Sequence, residues 1–248
     1  MAVFSGVWLA GGSDDAAETV LPLASIESGL NIPSLDVTDV SRTGRVSIPG
    51  VPAGTTSMRA FVSPGDPLAA SWWDSVDTGE TWGLMYRAAG APVKGDSLDM
   101  VRGRVMDFNS SARFGEAGTI DITLGGRRYG ASHEARCLAN ETVTATSWNS
   151  GFVSLPEGAQ ANELVIFHIL RTDDDTTAGT RTLTIEVSSS ASDSLEAVNI
   201  SAHASRRSWL IVHAGDPAKA RYKAYLTQPA DAETGLIIGV GHTHFAIS

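Results

Sequence analysis

Two histidines separated by one residue, His242 and His244 about Thr243, would project from one face of a strand and so could form half of a metal site. Such a site needs three or four ligands, and spacing assigns no third one, so these are read as surface or interface histidines. The carboxylates Asp74, Asp77 and Glu80 stand near Trp72, Trp73 and Trp82, a mixture that could line a sugar cleft. Core and packing roles account for the three indoles more cheaply, since large aromatic side chains dominate buried surface. Serine, histidine and aspartate all occur, but no Gly-x-Ser-x-Gly elbow, His-Glu-x-x-His helix or phosphate-binding Gly-x-x-x-x-Gly-Lys loop does. The expectation is a protein that is not an enzyme, with no catalytic residues, cofactor or metal. Arg102, Arg104, Arg113, Arg127 and Arg128 would need to share one face with interleaved aromatics to grip nucleic acid. The guanidinium fork also suits carboxylates of a neighbouring copy, such as Asp14, Asp15, Asp36 or Asp39, and that is the reading adopted.

Composition supports a structural reading. The chain has 248 residues, 42% of them hydrophobic, enough for two domains with sizeable cores. Its formal charge is −10, with 18 basic residues against 28 acidic ones, which argues against a nonspecific hold on phosphates. A surface past which DNA slides without being held is compatible with that balance. Cys137 is the only cysteine, so no intramolecular disulfide forms. The first residues, MAVFSGVWLAGGSDD, lack a basic leader, and no run approaches the ~18 apolar residues that span a bilayer. The product is expected to stay in the cytoplasm of the cell that makes it, and the triplet Asn140-Glu141-Thr142 is taken as a chance glycosylation match.

The elements that must carry these side chains are mostly strands. Residues 1–10 read as a strand, and 16–30 as an extended arm or loop interrupted by Pro22 and Gly29. Residues 35–61 read as strand, turn and strand, with Pro49 and Gly50 closing one element before the next. Leu68, Trp72 and Val76 stand four apart and predict a short helix over 68–76. Strands follow at 81–88, 97–111 and 118–124; in the last, Ile120, Ile122 and Leu124 alternate with Thr119, Asp121 and Thr123, the pattern of a sheet wet on one face. The glycine- and arginine-rich run 125–130 reads as a linker. Beyond it come short strands at 142–146, 151–155, 163–171, 180–188, 197–202, 208–214, 220–227 and 236–246, an antiparallel sandwich of jelly-roll or immunoglobulin-like class. Asp173, Asp174 and Asp175 read as a solvated hairpin loop.

The segment Asp36-Val37-Thr38-Asp39, the polar turn between Arg42 and Arg45, and Ile48-Pro49-Gly50-Val51 resemble, in order and position, the opening strands of the lambda-like tail tube (major tail) proteins of long-tailed bacteriophages. Residues 152–156, 163–169, 182–190 and 220–224 are similar to a β-sandwich module attached to many phage tail proteins. The resemblance implies a mainly β fold: a tail-tube sandwich or barrel with one short helix over 1–130, then an exterior antiparallel β-sandwich over 131–248. It implies a virion protein whose subunits form stacked, hexameric rings joined into one barrel, the hollow conduit through which phage DNA passes without specific binding. The partners implied are further copies of itself, the tape-measure, tail-tip and tail-terminator proteins, and a host surface for the outer domain. With alternation, it places Asp107, Thr119, Asp121 and Thr123 toward the lumen and Asp36, Thr38, Asp39, Arg42, Arg45 and Arg104 at subunit contacts. The alternative is a capsid-decoration or tail-fibre sandwich that binds carbohydrate or a host surface.

Overall fold

A computed structural model describes residues 8–13, 19–20, 23–31, 34–36, 47–49, 53–62, 79, 81–87, 90–111, 118–156, 159, 163–173, 177–188, 192–200 and 208–242, with backbone alone at 13, 19–20, 23–24, 28–31, 34–36, 47–49, 53, 62, 126–134 and 192–194. The helix expected over 68–76 lies outside these residues, and among the described ones the regular structure is all strand. The strands are β1 (Trp8–Ser13), β2 (Thr19–Val20), β3 (Leu23–Asn31), β4 (Ser34–Asp36), β5 (Ser47–Pro49), β6 (Ala53–Val62), β7 (Thr81–Arg87), β8 (Ser97–Ser111) and β9 (Gly118–Val143). They continue as β10 (Ser147–Asn149), β11 (Val153–Ser154), β12 (Leu164–Arg171), β13 (Thr182–Ser188), β14 (Ser192–Asn199), β15 (Ser208–Ala214), β16 (Arg221–Thr227) and β17 (Thr234–His242). The mainly β fold expected from alternation is therefore the fold observed.

One large antiparallel sheet runs β15-β12-β17-β9-β8-β7-β1-β2, with β6 and β3 branching from β9. The 26-residue strand β9 is its spine. Its first part pairs with β6, from Gly118 opposite Val62 to Gly126 opposite Gly54. Its last part pairs with β17, from Arg136 opposite Val240 to Val143 opposite Thr234. The run 125–130, expected as a linker, lies inside this strand. Gly125 faces Arg104 and Gly130 faces Arg102, so five steps along β9 answer two along β8. The glycines and arginines form a bulge that redirects a continuous strand from one partner to the next, which corrects the linker reading.

Among the described residues, three apolar cores sit on successive faces of this sheet. Leu9, Met58, Ala60, Trp82, Leu84, Val105, Ile120, Ile122 and Leu124 form the first, between β7 and the β6/β9 arm. For the second, the sheet curls until β1 meets β12 and β15, and its inner face packs Trp8, Met85, Leu98, Met100, Cys137, Ile166, Leu170 and Ile237. The third joins Phe167, Ile169, Leu236, Ile238 and Val240 to Leu183, Ile185, Tyr222 and Leu226 of a five-stranded sheet built on β10-β16-β13-β14 with β11. Consequently β17 is buried along both faces, alternate residues serving different cores.

Glycine makes the curl close. A Cβ on Gly239 would strike Met85 and come within 2.9 Å of Met100 Sδ, and one on Gly83 would strike Leu210 and come within 3.0 Å of the His168 ring. Buried polar groups lock the strand ends. The Gln228 amide donates to the carbonyls of Val143, Ala145 and Ala232 and accepts from Thr234 Oγ1, tying β9, a turn and β17 together. Two corrections follow. Residues 23–31, expected as arm or loop, form β3, paired along β6 from Leu23 opposite Ala60 to Asn31 opposite Ala53. Asp173, expected as solvated, accepts from buried Arg171 and from the Gly235 N–H, 3.0 and 2.8 Å away, and lies 3.6 Å from the fully buried Arg181.

Candidate assembly surface

The arm formed by β3, β6, the start of β9 and the end of β8 presents one apolar and one wet face. Met58, Ala60, Ile120, Ile122 and Leu124 are buried on the first. On the other, cross-strand partners line up in rungs. Thr55 faces Gly125, Ser57 faces Thr123, Arg59 faces Asp121 and Phe61 faces Thr119. Asp107, Asn109 and Ser111 of β8 extend three of these rungs, opposite Thr123, Asp121 and Thr119. Ser25 and Glu27 of β3 extend two from the other side, opposite Arg59 and Ser57.

The rungs are held by short polar contacts. The Arg59 guanidinium donates twice to Asp121, at 2.6 and 2.9 Å. Ser57 and Thr123 hydroxyls meet at 3.2 Å, and Ser111 and Thr119 at 2.9 Å. The guanidinium holds the Asp121 carboxyl below its usual range, chiefly by hydrogen bonding, and the carboxylate raises Arg59 by the same contact. Both groups are about half exposed, so the pair orders the face more than it stabilises the fold. Among the described residues of this face, the carboxylates Glu27, Asp107 and Asp121 outnumber the guanidiniums of Arg59 and of the exposed Arg104, which stands on the Thr55–Gly125 rung, by three to two. The face's exposed large apolar side chains, among the described residues, are Phe61 (47%) and Met106 (60%).

Two strand edges flank this face. Among the described residues, β3 pairs with β6 alone, and β8 beyond Arg104 pairs with β9 alone, because the register with β7 ends at Thr81 opposite Arg104. Free N–H and C=O groups along such edges are templates for another strand.

Alternation therefore places Asp107, Thr119, Asp121 and Thr123 on one wet face together. It did not pick out Arg59, Glu27 or Asn109, although the alternation of Arg59 with the apolar Met58 and Ala60 on either side of it was visible. Of the residues expected at subunit contacts, Asp36 ends β4, opposite Ser47, while Thr38, Asp39, Arg42 and Arg45 lie outside the described residues. Arg104 is exposed and turns its guanidinium toward Gly79, where Nη1 would be 3.6 Å from an added Cβ. Arg102, on the other side of the β9 bulge, is half-buried opposite Gly83. The five arginines thus form no single described face, and Arg113 lies outside the described residues. Trp82 is fully buried, as its packing reading requires, whereas Trp72, Trp73, Asp74, Asp77 and Glu80 are outside the described residues. His242 is buried 3.2 Å from Glu163 Oε2, and His244 is outside the described residues. No cluster of three metal-ligating side chains occurs among the described residues.

No family model matches the chain, and no curated protein matches it either. Among solved structures, the SPP1 tail tube is similar at 16% identity and a TM-score of 0.39, over 54% of this chain and 80% of that one. The virion of a native gene transfer agent particle is similar at 11% and 0.34, over 51% and 94%. The SPP1 Dit (gp 19.1) protein, a paradigm of the hub adsorption apparatus in phages infecting Gram-positive hosts, is similar at 8% and 0.36, over 94% and 98%.

Proposed function

We propose that this chain is a structural virion protein, the major tail tube subunit of a long-tailed phage, which polymerises as stacked rings into a hollow conduit for DNA. The observation that carries the reading is the wet four-strand face, on which carboxylates outnumber guanidiniums, bounded by two differently composed edges that are unpaired among the described residues. A strand edge on either side lets copies join head to tail until the sheet closes, and closure removes the edges a lone subunit exposes. In a closed ring the wet face becomes the lumen. Its hydroxyls and carboxylates repel or pass phosphates, whereas a basic lining would retain them through counterion release. The ring number is six in this reading, the genome passes without specific binding, and tape-measure, tail-tip and tail-terminator proteins bound the tube. The five-stranded sheet then lies outside, on the far side of the third core, where a host surface is within its reach.

Negative-stain microscopy of purified protein should show rings or tubes of uniform bore. Monodisperse monomers under assembly conditions overturn the reading and favour a decoration or adhesion module. Within assemblies, Asp121→Cys should react with a small maleimide while resisting a bulky polymer maleimide. Equal labelling by both reagents would place the wet face outside.

A further inference from the structure

Resting on the ring reading, we infer that the seam between copies is antiparallel pairing of β3 with the free end of β8, slid two residues from flush so that Glu27 of one copy faces Asn109 of the next. Strand directions alternate across β3, β6, β9 and β8, so the next copy's β3 continues the alternation. The ladders fix what a flush seam would bring together. Glu27, Ser57, Thr123 and Asp107 share one level, so a flush seam sets Glu27 against Asp107, two carboxylates directly opposed. Gly29, Thr55, Gly125 and Arg104 share another, and there the far side of β8 is already occupied by Thr81 of β7. A flush β3 therefore runs into β7 as well as into a like charge.

Sliding by two residues relieves both conflicts and keeps each side chain on its own face. Gly29, which has no side chain, comes beside Asp107; Glu27 comes beside the Asn109 amide, which donates to it; Ser25 comes beside Ser111. Only the last residue of β3, Asn31, remains level with Thr81. A slide of four would carry Ser25 past the end of β8 and forfeit pairs, and a slide the other way would drive β3 further into β7. A stagger at every seam is also what a closed barrel of tilted strands requires. Glu27 and Asn109 are both exposed.

The test is oxidative cross-linking of assembled protein carrying Glu27→Cys with Asn109→Cys, compared with Glu27→Cys with Asp107→Cys. Directly opposed residues lie within disulfide reach, whereas a two-residue offset is about 7–8 Å and largely outside it. Buried Cys137, its thiol pushed up to about 12 mainly by burial, stays out of the reaction. The expected result is a ladder of covalent oligomers for the Asn109 pair and at least about tenfold less for the Asp107 pair. The reverse pattern, in rings that still form, overturns the register and leaves the ring reading standing; wild-type protein that forms no rings overturns both. A second measurement uses charge: Asn109→Asp should impair assembly, and Glu27→Lys combined with Asn109→Asp should restore it. Assembly indifferent to Asn109→Asp in a normally folded variant, or no restoration by the double variant, overturns the pairing.

Discussion

His168 is the residue at which burial has the clearest measurable consequence. It projects from β12 into the curled sheet with Nε2 3.1 Å from Ser208 Oγ and no described partner for Nδ1, and burial alone lowers its pKa from 6.5 to about 3. The fold therefore holds the imidazole neutral, while the unfolded chain binds a proton near pH 6.5. Its contribution is complete above that pH and is lost as pH falls from about 6.5 toward 3, because the unfolded state then binds more protons. Urea midpoints across that window should fall with pH, and the fall should be shallower in His168→Gln, which keeps a polar group for Ser208. A slope unchanged by the substitution would show that other groups set the acid limit. Asp173 belongs at the same scale. Its acidic neighbours in sequence gave it the look of a solvated loop, and only the fold brings Arg171, Arg181 and the Gly235 N–H to it.

At the scale of elements, the glycines of β17 and β7 set how tightly the sheet curls. Gly239→Ala adds one methyl group against Met85 and Met100, and overpacking of this kind costs about 1–3 kcal/mol, which a lowered denaturation midpoint with unchanged m-value would report. Methionine is pliable, so a loss near the lower end of that range is expected. What could be read of the elements follows the locality of their signals. β8 and β15 match the expected spans 97–111 and 208–214, although neither alternates throughout: the register of β8 shifts three times against β9, and β15 carries the continuous apolar run Trp209 to Val212. β3 was missed because Pro22 and Gly29 punctuate LASIESGLN and its apolar residues are sparse. The bulge in β9 was mistaken for a linker because glycine next to arginine signals a break in either case; the opposing ladder of β8 distinguishes the two, and it is not local in sequence. The wet face was legible for the residues whose neighbours are plainly apolar, from Thr119 to Thr123. Its lateral neighbours on β3 and β6 depended on pairing at long range.

At the scale of the molecule, β9 and β17 make the halves on either side of residue 130 interdependent. Residues beyond 130 supply Cys137, Ile166, Leu170 and Ile237 to the core that Trp8, Met85, Leu98 and Met100 fill from before it. The whole chain should therefore unfold in one transition, with Cys137 reacting with a thiol reagent only across that transition, since burial keeps it protonated and covered. A fragment beginning at residue 131 should show exposed apolar surface and dye binding instead of a sharp melt; a sharply melting fragment would refute the interdependence. The burial of β17 on both faces also bears on how the protein comes into being. This strand leaves the ribosome after both of the strands it must lie between, so β9 and β12 wait with bare edges and two unfinished cores until residues 234–242 arrive. Completion depends on contacts between distant parts of the chain, which makes folding slow, and through that interval the nascent subunit is most exposed to pairing with the wrong strand.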